Sequence, residues 1–224
     1  MASSTTAAGL VASSTTAKDS WPHPLQLLGY MGCKMPERNH LKRLPRGFYQ
    51  NDAIVHWTIT IRDRKQGWLS PLFLYQFREL LTHTLFRYGL ACPIFCLMPD
   101  HMHFVWMGLV EGCDQLNAMK HFRPRCDDSL GQIGVSLQDQ SYDHVLTAEE
   151  RREVEFHQLC EYIARNPERA ELVDPDCCKE YPFTGCLIPG YPELQPFEQN
   201  FRDQLDRTVS HLRKSGFQQI TQTP

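Results

Sequence analysis

No apolar run in the sequence approaches the roughly 20 residues needed to span a bilayer, so the expectation is a soluble protein with no membrane partner. Residues 1–20 are mostly Ala, Ser and Thr and lack the basic start and hydrophobic core of a secretory signal. They read as the disordered tail of a cytoplasmic protein. A Cys-x-x-Cys pair is also missing. The nine cysteines are odd in number and scattered, which argues against a disulfide framework and for reduced thiols. Cys177 and Cys178, being adjacent, do not give the paired spacing of a zinc site. There is no basic excess either, the formal net charge being −3. That balance argues against a polyanionic partner only if it is uniform along the chain, and it is not. Residues 34–65 carry eight Lys/Arg against three acids, a net +5, whereas residues 127–200 carry 5 basic and 16 acidic residues, a net −11. A local basic patch is enough to hold phosphates by counterion release. A solvated charged face is the commoner meaning of such a run.

What is present suffices for one domain: 42% of the residues are apolar. Residues 21–50 are rich in Pro, Gly and basic side chains and suggest an irregular arm, followed by a domain over 51–190 and a C-terminal helix and tail over 191–224. Ala53–Arg62 is dense in β-branched and aromatic residues and predicts a strand. Ser70-Pro71 supplies a cap and a first-turn proline for a helix to about Tyr88, with Gly89 as its stop. Cys92–Met98 and His101–Leu109 read as two strands. The two residues between them, Pro99 and Asp100, allow only an antiparallel pair. A helix is expected over Asp114–Phe122, then a loop from Asp127 to Ser141 and a short apolar segment, Tyr142–Leu146. Thr147-Ala148-Glu149-Glu150 has the form of a capping box and announces a helix to about Asn166, where Pro167 stops it. Phe197, Phe201, Leu205, Val209 and Leu212 recur at helical spacing near the C-terminus. This order of elements predicts an α+β fold with helices covering an antiparallel sheet.

Two stretches carry chemistry. His101 and His103 head the third strand two residues apart, so both imidazoles point to one face and can reach one metal ion. The alternative is that they only cap a half-buried strand. On the later helix, Phe156, Leu159, Cys160 and Ile163 form the stripe expected to bury, with Tyr162 and Asn166 four apart along its edge. As plain structure, Tyr162 would be an interfacial aromatic and Asn166 a helix cap.

The motifs Met98-Pro99-Asp100-His101-Met102-His103, Tyr142-Asp143-His144-Val145 and Tyr162-Ile163-Ala164-Arg165-Asn166-Pro167-Glu168-Arg169-Ala170 occur in that order. In this the sequence resembles the REP-associated tyrosine transposases, single-tyrosine members of the HUH endonuclease superfamily. The resemblance covers about residues 45–185. It implies a ferredoxin-like HUH core, a divalent metal (Mg or Mn) on His101, His103 and Asn166, and Tyr162 as the nucleophile. It further implies single-stranded or hairpin DNA as partner, cut through a 5′-phosphotyrosine, by a monomer or homodimer. Candidate DNA contacts are Arg38, Lys42, Arg43, Arg46, Lys120 and Arg123. The last two lie near a helix C-terminus, where cations are favoured in any protein. His144 is either a group near the metal or DNA, or a satisfied structural histidine. The sequence departs from the family at Ala164 and Arg165, and in lacking a tryptophan before Tyr142. Two other readings compete: a catalytically idle, transposase-derived DNA-binding protein, and a hydrolase using metal-bound water.

Overall fold

The computed structural model describes residues 43–216. The tail over 1–20 and most of the basic arm, including Arg38 and Lys42, lie outside the described residues. Five strands form one sheet: β1 (Ile54–Thr60), β2 (Leu90–Met98), β3 (His101–Gly108), β4 (Tyr142–Val145) and β5 (Thr184–Leu187), in the order β4-β1-β3-β2-β5 with every pairing antiparallel. The first four strands, with α1 (Pro71–Tyr88) between β1 and β2 and α2 (Gln115–Gly131) between β3 and β4, make the split βαβ arrangement of a ferredoxin-like fold. The expected fold class is the observed one. β5 is an addition: its four residues fall in the Pro- and Cys-containing stretch, too short and irregular to show a strand period.

Side-chain alternation sorts the sheet into two faces. Val55, Trp57 and Ile59 of β1 and Met102, Phe104 and Trp106 of β3 face one core, which α1 covers with Phe73, Phe77, Leu81 and Leu85 and α2 with Ala118, Met119, Phe122, Cys126 and Leu130. Ile54, Cys96, Met98, Val105 and Met107 face the other core. That side is covered by α3 (Glu153–Ala164) and α5 (Phe201–Ser215), through Phe156, Cys160 and Ile163 and through Leu205, Val209 and Leu212. Between them lies a single turn, α4 (Asn166–Arg169). No helix among the described residues is long and apolar enough to cross a membrane.

Local signals account for most boundaries. Ser70 Oγ accepts from the Phe73 amide, and Gly89 closes α1 in the left-handed region at φ 64°. α2 departs from the expected end at Phe122: it continues through Pro124 to Gly131. The proline removes one helical hydrogen bond, but Cys126 and Leu130 prolong the buried stripe and burial outweighs that loss. The capping box does close reciprocally, Thr147 N to Glu150 Oε2 at 2.8 Å and Glu150 N to Thr147 Oγ1 at 3.3 Å, yet it shapes an isolated turn and α3 begins only at Glu153. Phe197 lies outside α5, which starts at Phe201.

The eight cysteines among the described residues are all free thiols. Burial pushes those of Cys96, Cys113 and Cys126 up to about 12, so they stay protonated and act as small apolar side chains.

Candidate metal and nucleophile site

β3 enters the site directly from the Pro99-Asp100 turn, which is clamped from outside. Trp68 Nε1 donates to the Pro99 carbonyl at 2.6 Å, and the Ile61 amide donates to the Asp100 carbonyl at 3.0 Å. His101 pairs with Thr60 and Met98 on the neighbouring strands, His103 with Thr58 and Cys96. Because the two histidines alternate with buried Met102, they share the sheet face that carries Val105 and Met107, the face covered by α3 and α5. Both are half-buried.

Their Nε2 atoms lie 2.9 Å apart. Adjacent ligands on an octahedral ion with bonds of about 2.1 Å sit about 3 Å apart, so the two nitrogens already have the separation of a coordinating pair. The opposite ring nitrogens are held. His101 Nδ1 is 2.5 Å from Asp100 Oδ1, and Arg64 Nη1 grips the other carboxylate oxygen at 2.9 Å. Burial alone would raise the Asp100 pKa; hydrogen bonds from His101 and Arg64 outweigh it and hold the carboxyl below its usual value. Arg64 reaches this position from a turn in which Asp63 and Arg64 both have left-handed backbones, φ 56° and 54°. Such geometry is uncommon for residues with a Cβ and is retained where neighbouring structure demands it.

His103 Nδ1 lies 3.0 Å from Thr58 Oγ1 and 3.1 Å from His56 Nε2. Burial, helped by the charge of His144, lowers the pKa of His56 to about 4, so near pH 7 it is a neutral partner. Outer-shell partners of this kind fix the tautomer and aim of a metal-binding imidazole. His144, opposite His56 on β4, is bonded through Nε2 to Glu150 at 2.8 Å.

Tyr162 lies near the end of α3, half-buried, and packs on the core of the same sheet face. The Arg169 guanidinium stands 3.8 Å from its ring centroid and also donates to the Tyr162 carbonyl. Asn166 is not one turn further along the same helix. α3 stops at Ala164, Arg165 breaks the path at φ −90° and ψ 8°, and Asn166 opens α4 with Pro167 behind it. Proline at that position forbids a continuous helix, so the expected stacking of Tyr162 on Asn166 gives way to a corner. Asn166 Oδ1 accepts from Arg169 Nη2 at 2.8 Å, while its Nδ2 is buried without a partner.

The basic candidates are dispersed. Arg43 pairs with Asp143 at 2.8 Å and stacks on Trp57; Arg46 pairs with Asp114 at 2.6 Å. Asp143 also accepts from the Tyr49 hydroxyl, whose pKa burial and that bond raise to about 12. Lys120 and Arg123 belong to α2, on the layer away from the histidines. Lys120 is exposed, and Arg123 donates to Ser141 at 3.1 Å. The sequence reading assigned no role to His56, Thr58, Arg64 or Arg169 and treated Asp100 as a turn residue. Arg169 lies inside the quoted motif, and the His56/Thr58 alternation was readable, but pairing to His103 depends on strand register.

No family model matches the sequence, and no curated protein matches it. Among solved structures, the fold is similar to that of a REP-associated tyrosine transposase bound to a REP hairpin, at 15% identity and a TM-score of 0.54, over 77% of this chain and 88% of that one.

Proposed function

We propose that this protein is a metal-dependent transposase or endonuclease that cuts and rejoins single-stranded hairpin DNA through Tyr162. The observation that carries the reading is the 2.9 Å approach of His101 Nε2 and His103 Nε2 with each opposite nitrogen already engaged. An arrangement that merely capped a strand would not need both rings aimed at one point. A solved structure of like fold, a transposase holding a DNA hairpin, supports the same reading.

His101 and His103 would hold a magnesium or manganese ion, with Asn166 as the third ligand once its amide oxygen leaves Arg169. A bound divalent ion orients the scissile phosphate and neutralises charge developing on it. The Tyr162 phenol, a weak nucleophile at neutral pH, attacks that phosphorus in line, losing its proton as the bond forms. The strand's 3′-oxygen leaves and takes up a proton, and the 5′-phosphate stays on the tyrosine. Arg169, stacked on the ring, stabilises negative charge as the phenol ionises. Attack by a second 3′-hydroxyl reverses the step and joins strands without a nucleotide cofactor. Arg43 and Arg46 of the basic segment, with Lys120 and Arg123, are candidate backbone contacts.

One observation favours a second reading. Asn166 Oδ1 is occupied by Arg169, as it would be in an idle site kept only for DNA binding. End-labelled hairpin oligonucleotides from the DNA flanking the gene, incubated with manganese and run on a denaturing gel, separate the two. A covalent adduct carrying the 3′ fragment, absent in Tyr162→Phe, is the expected result. Tight binding with no cleavage supports the idle binder, and adduct-free cleavage that persists in Tyr162→Phe supports a metal-water hydrolase.

A further inference from the structure

Glu153 and His157 lie four residues apart on α3, and Asp206 stands on α5. One donor atom from each of the three lies within 4.8 Å of the other two. The imidazole is only 3% exposed, whereas both acids are open to solvent. His157 Nε2 is 2.9 Å from Asp206 Oδ2, and its Nδ1 is buried with no hydrogen-bond partner. Whatever the ring binds, it binds through Nε2. Glu153 makes no hydrogen bond or ion pair among the described residues, although a second carboxylate and a buried imidazole converge on it. The helix dipole favours an acid in the first turn of α3 but does not account for that convergence. Two carboxylates gathered at one imidazole repel each other unless a cation lies between them, and no lysine or arginine pairs with either among the described residues.

We propose that Glu153, His157 and Asp206 form a second divalent-metal site that shares no residue with the His101–His103 pair. One imidazole nitrogen and two carboxylate oxygens, with an open side for water, suit zinc or cobalt. Zinc bonds of about 2.0–2.1 Å place tetrahedral ligand atoms about 3.4 Å apart, a contraction that rotation of the two exposed carboxylates supplies. The ion ties α5 to α3 beside the apolar contacts of Leu205 and Val209, so its role is to fasten the last helix onto the sheet. This assignment does not depend on the function proposed for Tyr162.

The test uses the full chain, stripped with chelator and titrated with Zn²⁺ by calorimetry and with Co²⁺ by visible absorption. The His101→Ala/His103→Ala protein is expected to retain one equivalent of metal and to melt at higher temperature when it is bound. Adding Asp206→Asn or Glu153→Gln to that background is expected to weaken this equivalent by more than the roughly 10- to 100-fold typical of losing an outer-shell partner, and to abolish the melting shift. Both substitutions are at exposed acids; melting in chelator verifies folding. The proposal is overturned if the histidine double variant binds no metal, or if the added substitutions leave its metal affinity unchanged.

Discussion

The Arg169 guanidinium lies 3.8 Å from the centroid of the Tyr162 ring, and the same side chain holds Asn166 Oδ1 at 2.8 Å. One cation therefore touches both residues that the motif supplies from beyond the sheet. Arg169→Ala is expected to slow adduct formation by about tenfold or more, the scale of a cation–π contact plus a charged hydrogen bond. Hairpin affinity should fall much less. Single-turnover cleavage set beside gel-shift binding checks this, and an unchanged cleavage rate would remove Arg169 from the chemistry.

Asp100 and Thr58 act on the histidines from behind. Asp100→Ala is expected to weaken manganese binding at His101 and His103 by roughly 10- to 100-fold, and Thr58→Val by less, because His56 remains beside His103 Nδ1. Calorimetric titration in the Asp206→Asn background isolates this pair from the second site. Equal affinity in Asp100→Ala and the parent would show that the turn only connects two strands.

Asp114 caps α2, its Oδ1 accepting from the Asn117 amide at 3.0 Å while Oδ2 meets Arg46 at 2.6 Å. Burial works to raise its pKa, but these bonds and Gln50 bring it below the usual value. Since the folded state binds its proton less readily than the unfolded state, the stabilisation is complete above the unfolded carboxyl value near 4. It is lost as pH falls through the lower folded value. Asp114→Ala should cost about 1–2 kcal/mol at pH 7. Urea melts at pH 7 and pH 3 should show the gap between parent and variant narrowing in acid.

Leu205 is fully buried where α5 meets the sheet. Leu205→Ala is expected to cost about 2–5 kcal/mol, the usual range for emptying a leucine site in a core. Chemical denaturation measures it directly. A loss below about 1 kcal/mol would mean that α5 is weakly docked.

Sequence by itself determined the strands, the caps and the two histidines on one face, because alternation, Ser70, Gly89 and the short Pro99-Asp100 turn are local rules. It also brought Tyr162, Asn166 and Arg169 into view as one motif. It mistook the path from Tyr162 to Asn166, although Pro167 was there to be weighed, and it ended α2 at Pro124 where buried Cys126 and Leu130 carry the helix on. Only tertiary structure decided that Thr58 and His56 stand behind His103, that Arg64 grips Asp100, and that Glu153, His157 and Asp206 meet across two helices. Those relationships join residues far apart in the chain. Strand register and helix docking set them, and burial across the whole sheet governs both in a way that no single stretch of sequence encodes.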